Sequence, residues 1–151
     1  MSATRAMALA VMLGSLAFGQ GPAAPPAAPP SPNPGFQALV QEAKSKIKEV
    51  PVPQLKTWMD SGEKLLLIDV REDNEWQAGH AASAIHIARG TLEGGIEKAA
   101  PDKAQRVVLY CRSGARSALA ADTLQKMGYS NVLSLAGGFT AYQAAGLPSQ
   151  K

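Results

Sequence analysis

The chain has 151 residues, with 15 basic against 12 acidic side chains for a net charge of +3, and one cysteine. Acidic and basic residues are interspersed with no run of like charge, which argues against a dedicated nucleic-acid or anionic-membrane surface. A single cysteine excludes an internal disulfide.

Residues 1–35 contain no Asp or Glu, and Arg5 is their only basic residue. Residues 1–19 have the layout of a signal peptide. MSATR is a short positive start, AMALAVMLGSLAF an apolar core, and Ala17 and Gly19 supply small residues before a cleavage after Gly19. The apolar core is shorter than the roughly 20 residues of a membrane span. No cysteine follows it to carry a lipid. The expectation is a periplasmic or otherwise extracytoplasmic protein with no stable membrane insertion after cleavage; the alternative is a retained N-terminal anchor. Residues 20–35, QGPAAPPAAPPSPNPG, read as an extended Pro/Ala-rich spacer. The folded domain is then residues 36–151, large enough for one hydrophobic core.

Within it, Phe36, Leu39, Val40, Ala43, Ile47 and Val50 recur at helical spacing and predict an N-terminal amphipathic helix, with Asn33-Pro34 as its start. PQLKTWMDSG predicts a short helix with Leu55, Trp58 and Met59 inward and Gly62 as its stop. KLLLIDV reads as a strand buried on both faces. Next come REDNEWQAG as a helix, AIHIA as a short strand and TLEGGIEKAA as a weak helix interrupted by two glycines. RVVLY is a second buried strand, RSALAADTLQKMG a strong helix closed by Gly128, NVLSL a third strand and GGFTAYQAAG a last short helix. Strands and helices alternate, and the strands are continuously apolar. That pattern predicts an α/β domain with a mainly parallel sheet and helices on both faces. Sites in such sheets form beyond the C-terminal ends of the strands. Asp69 and Arg71 follow one strand there, and Cys111 follows another.

Cys111 sits at a strand-to-helix junction, where backbone N–H groups converge and the helix presents its positive end. Arg112 and Arg116 add positive charge, while Ser113, Gly114 and Ala115 allow a tight turn in which Gly114 takes positive φ. These features favour a thiolate, the nucleophilic form of cysteine. Tyr110 rather than His precedes the cysteine, so no adjacent general base is present in sequence. His80 and His86 are read as structural. The competing reading of Cys111 is a small hydrophobe at a strand end; the flanking arginines and small-residue turn weigh against it.

These motifs resemble single-domain rhodaneses, a family of sulfurtransferases. The resemblance covers about residues 50–148. It is carried by LLLIDVRE (65–72), EWQAGHAASAIHIARG (75–90), VVLYCRSGARSALAA (107–121) and MGYSNVLSLAGGFTAYQAAGLP (127–148), in register. It implies a five-stranded parallel sheet and a persulfide on Cys111. A sulfane donor such as thiosulfate would load the sulfur, and cyanide or a thiol would remove it, without metal or cofactor. Residues 112–116 would cradle the persulfide, and Asp69, matching the family's Asp-Val-Arg strand end, would pair with Arg116. Arg89 is a candidate for the mouth of the site. Phosphatases on this scaffold carry Arg six positions after Cys; here Arg116 is five after and Ser117 holds the sixth place, which favours sulfur over phosphate or arsenate. A non-catalytic or sulfur-carrier module with a protein partner is the alternative. Two departures, GHAASA at 79–84 and Tyr142 for a usual Trp, are expected to affect packing more than chemistry.

Overall fold

The computed structural model describes residues 33–151, so the expected signal segment and the spacer up to residue 32 lie outside the described residues. In chain order the strands are β1 (Lys48–Val50), β2 (Leu66–Asp69), β3 (His80–Ala81), β4 (Ile85–His86), β5 (Val107–Tyr110), β6 (Val132–Leu135) and β7 (Ser149–Gln150). The helices are α1 (Pro34–Lys46), α2 (Val52–Asp60), α3 (Asp73–Ala78), α4 (Leu92–Ala99), α5 (Ala115–Lys126) and α6 (Gly138–Ala144), with a 3-10 turn over Arg89–Thr91.

Five strands form one wholly parallel sheet in the order β1-β6-β5-β2-β4. The expected five-stranded α/β architecture is therefore present. The apolar runs have a simple cause: both faces of the sheet are covered. Val107 and Leu109 of β5, Ile68 of β2 and Val132 of β6 pack in one core with residues of α1, α4 and α5. Val108 and Tyr110, with Leu67, Leu133 and Leu135, pack in the other with α2 and α6. Alternate residues thus serve opposite layers. Because β5 lies between β2 and β6, its C-terminal end opens beside Asp69 on one side and Ser134 on the other, through the pairs Asp69 with Tyr110 and Leu109 with Ser134.

Two local readings change. The first helix stops at Lys46, and Val50 belongs to an edge strand paired with Leu135. Val50 precedes Pro51, whose ring disfavours helical backbone at the residue before it. The inward arc of α1 is Val40 and Ala43, continued by Ile47 at its cap, which leaves Leu39 57% exposed and Phe36 exposed on its outer side. The GHAASA segment, which departs from the family pattern, supplies β3. It pairs antiparallel with β7, His80 opposite Gln150 and Ala81 opposite Ser149, closing the domain with a small ribbon. Tyr142 fills the place of the family's Trp as a buried side chain, its hydroxyl donating to the Pro148 carbonyl at 2.8 Å.

Leu55 is fully buried whereas Leu39 is mostly exposed. Leu55→Ala should therefore destabilise the domain by about 2–5 kcal/mol in chemical denaturation, and Leu39→Ala by less than about 0.5 kcal/mol.

Candidate functional site

Cys111 is the first residue beyond β5 and is only 1% exposed. Gly114, at φ 98°, turns the chain back so that its N–H donates to Sγ at 3.2 Å. The Ser117 hydroxyl, one turn into α5, donates to Sγ at 3.6 Å. It is itself hydrogen-bonded to the Ser134 hydroxyl on β6 at 2.8 Å, and both serines are fully buried. Burial alone pushes the Cys111 thiol up. The N–H and hydroxyl of Ser117 and the N–H groups of Ser113 and Gly114 outweigh it, and the thiol is held below its ordinary value. Hydrogen-bond donors thus dominate, where the sequence had pointed equally to the flanking arginines.

The loop is fixed from behind by α6. Phe139 N–H donates to the Cys111 carbonyl at 2.8 Å, and Thr140 N–H to the Arg112 carbonyl at 3.1 Å. This approach requires Gly138, which has φ 57°; a Cβ there would lie 2.7 Å from the carbonyl carbon and oxygen of Arg112. With those carbonyls turned toward α6, the next N–H groups are free to face the sulfur.

The expected Asp69–Arg116 pair does not form. Asp69 is fully buried and binds Arg71 instead, through Nη2 at 2.6 Å, Nε at 2.9 Å and the backbone N–H at 2.9 Å. Arg71 also donates to the Gly79 carbonyl at 2.7 Å and lies 4.3 Å from the centre of the Phe139 ring. A partner two residues away in the same strand end outcompetes one in a different loop, and Arg71 becomes a buried strut. Arg116 goes to Glu75 of α3, through Nη1 at 2.7 Å and Nη2 at 2.9 Å, with Glu72 at 4.0 Å. Arg89 is not at the mouth of the site: its guanidinium is held by Glu93 at 2.7 Å and by the Thr123 hydroxyl at 3.3 Å, on the α4/α5 side.

A cleft of about 300 Å³ beside the loop is lined by Arg71, Glu75, Gly79, Arg112, Phe139, Thr140 and Gln143 among others. Arg112 faces it. His80 and His86 are engaged elsewhere, as structural residues would be. His80 Nδ1 lies 3.0 Å from the Trp76 carbonyl and His86 Nε2 2.9 Å from the Arg71 carbonyl, and both rings stack on Trp76. The arrangement therefore favours the thiolate through N–H and O–H donors, with no general base beside Sγ among the described residues. That chemistry suits a nucleophile that attacks without proton transfer.

Glu75, Ser117, Ser134 and the first turn of α6 were not singled out as site residues from sequence. Ser134 carries the clearest signal in retrospect, a polar residue inside the apolar run NVLSL. Glu75 has only a local signal, as the partner of Glu72 in the capping box of α3.

Compared with known proteins, residues 51–145 match the family model described as a rhodanese-like domain. A probable adenylyltransferase/sulfurtransferase of Mycobacterium tuberculosis is 39% identical over 89 residues, which is 59% of this chain but only 23% of that protein. A putative sulfurtransferase of Bacillus subtilis is 36% identical over 103 residues, 68% of this chain and 97% of that protein. A thiosulfate sulfurtransferase of Coxiella burnetii is 32% identical over 94 residues, covering 62% and 86%. Among solved structures, a protein of unknown function from Rhodopseudomonas palustris, described as a possible tyrosine phosphatase, superposes with a TM-score of 0.71 at 30% identity, over 82% of this chain and all of that one.

Lowering of the thiol should be visible in alkylation. The rate of Cys111 modification against pH should have its midpoint below the roughly 8.5 of free cysteine. Ser117→Ala should raise that midpoint and slow alkylation at neutral pH by about tenfold or more, the value of one lost hydrogen bond to a charged group.

Proposed function

Because the chain belongs to the rhodanese-like family, we propose that it is a sulfurtransferase that carries sulfur as a persulfide on Cys111. The supporting observation is the cradle of donors around Sγ, built from Gly114, Ser113 and Ser117. In the first half-reaction the Cys111 thiolate attacks the outer sulfur of a sulfane donor such as thiosulfate. An S–S bond forms to Sγ, the donor S–S bond breaks, and sulfite leaves with the electron pair. In the second, cyanide or a thiolate attacks the outer sulfur of the persulfide, taking it as thiocyanate or a new persulfide and restoring the thiolate. No proton need move to or from the protein in either displacement, which agrees with the absence of a base beside Cys111.

The cradle's donors converge on Sγ itself. That favours catalysis over a binding role in which the sulfur would be incidental. Loop length and the bidentate Arg116–Glu75 pair favour sulfur over phosphate chemistry, since the loop arginine is committed to a carboxylate.

Thiosulfate treatment should add the mass of one sulfur atom to the intact protein, and cyanide should remove it as thiocyanate. Cys111→Ser should lose both; a wild-type protein that gains no sulfur from any donor of a panel would overturn the reading.

The layout of residues 1–19 supports export, and we place the mature protein outside the cytoplasm. Expression in a bacterial host with sequencing of the mature N-terminus should give a chain starting at Gln20. An N-terminus still at residue 1 or 2 would instead mean retention of the apolar segment.

A further inference from the structure

The guanidinium groups of Arg71 and Arg112 line the cleft beside the Cys111 loop, that of Arg116 is paired to Glu75 on its wall, and two of the three are already balanced. Arg71 is bound by Asp69, and Arg116 by Glu75 with Glu72 nearby. Arg112 is exposed and lines the cleft, and its guanidinium has no hydrogen bond or ion pair among the described residues. Glu75 itself lines the same cleft, so the Arg116 guanidinium is held at the cleft wall by the group that neutralises it. The charges available to an incoming molecule are then one cation, Arg112, and one anion, the Cys111 thiolate.

That balance bears on what can enter. A donor with one negative charge is offset by Arg112. A dianion brings a second charge into a confined cleft beside a thiolate, with no remaining cation to offset it, and loses hydration in doing so. Resting on the sulfurtransferase reading above, we propose that the preferred sulfur donors of this site carry a single negative charge, as thiosulfonates do, and that Glu75 sets this preference by offsetting the charge of Arg116. Glu75 is thus a positioning residue acting through Arg116.

Thiosulfate and methanethiosulfonate provide a matched pair of probes. They share a tetrahedral sulfur and a terminal sulfane sulfur, but a methyl group replaces one charged oxygen in the second. Attack by the Cys111 thiolate on methanethiosulfonate forms the same Sγ–S bond, breaks the S–S bond of the donor, and releases methanesulfinate with the electron pair. Loading of the full chain would be followed by intact mass in single-turnover experiments, each rate constant referred to that donor's reaction with free cysteine. The wild type should favour methanethiosulfonate by about tenfold or more in kcat/KM for loading, a typical size for one unbalanced charge near a binding site. Glu75→Gln keeps an acceptor for Arg116 but removes the negative charge. It should narrow the ratio by about tenfold, mainly through a lower KM for thiosulfate. Arg116→Ala leaves Glu75 unbalanced in the cleft wall and should widen the ratio about tenfold, and adding Glu75→Gln to it should return the ratio to about the wild-type value. Partial unfolding of a variant cancels, because both donors are read on the same sample. Equal normalised loading of the two donors by the wild type, an unchanged ratio in Glu75→Gln, or an unchanged ratio in Arg116→Ala would each overturn the proposal while leaving sulfur transfer intact. If neither donor loads the wild type, the sulfurtransferase reading fails and takes the donor preference with it.

Discussion

The site depends on which way two peptide groups face. The carbonyls of Cys111 and Arg112 accept hydrogen bonds from the N–H groups of Phe139 and Thr140, and those two bonds orient the turn. A peptide group cannot present its carbonyl and its N–H on the same side. Turning the Arg112 carbonyl toward α6 therefore directs the Ser113 N–H of the same peptide group toward the sulfur, where the Gly114 N–H joins it. Gly138 is the residue that lets α6 come close enough, because any side chain would occupy the space of the Arg112 carbonyl. The cradle is in this sense built by the last helix as much as by its own residues.

The sheet supplies the rest by keeping its two faces distinct. Cys111 continues the layer of Val107 and Leu109 and so lies over α5, where Ser117 and Ser134 meet the sulfur. Tyr110 belongs to the opposite layer, with Phe139 and Arg71. Its phenol, pushed up by burial, accepts from the Ala81 N–H and ties β3 to the sheet. Polar groups buried on one face thus stabilise a charged sulfur, and those on the other lock the turn beneath the cleft. The described residues leave no buried side-chain nitrogen or oxygen without a hydrogen bond, so these polar clusters do not carry the penalty of an unmet donor or acceptor.

Much of this was legible in the sequence because it is local. The buried strands are continuous apolar runs, and the turn after β5 pairs a cysteine with small residues ahead of a helix. Both can be read within a dozen residues. What escaped reading was long-range or context-dependent. Nothing near Arg116 indicates a partner 41 positions earlier, and Asp69 looked free to reach it until the backbone placed Arg71 beside the same carboxylate. The end of α1 misled for another reason: Ile47 and Val50 fit a helical arc, and only Pro51 and the waiting edge of β6 decide for a strand. The ribbon of β3 and β7 joins segments 70 residues apart with two residues each, too short for any periodicity to show.

Hydrogen-bond donors, rather than a cationic pocket, lower the nearly inaccessible Cys111 thiol. A buried anion left to itself would reprotonate. Here several aligned donors stabilise it, each worth about 1.5–3 kcal/mol when the partner is charged. Because the donors are mostly backbone N–H groups, they add no net charge and do not attract anions indiscriminately. Arg71 and Arg116 are spent on carboxylates that hold the walls, which leaves Arg112 as the single free charge facing the cleft. In the proposed function, stabilising the nucleophile and selecting the substrate thereby fall to different groups. The first rests on backbone geometry, which substitutions at the cleft wall barely touch; the second rests on a charge count that one carboxylate can change.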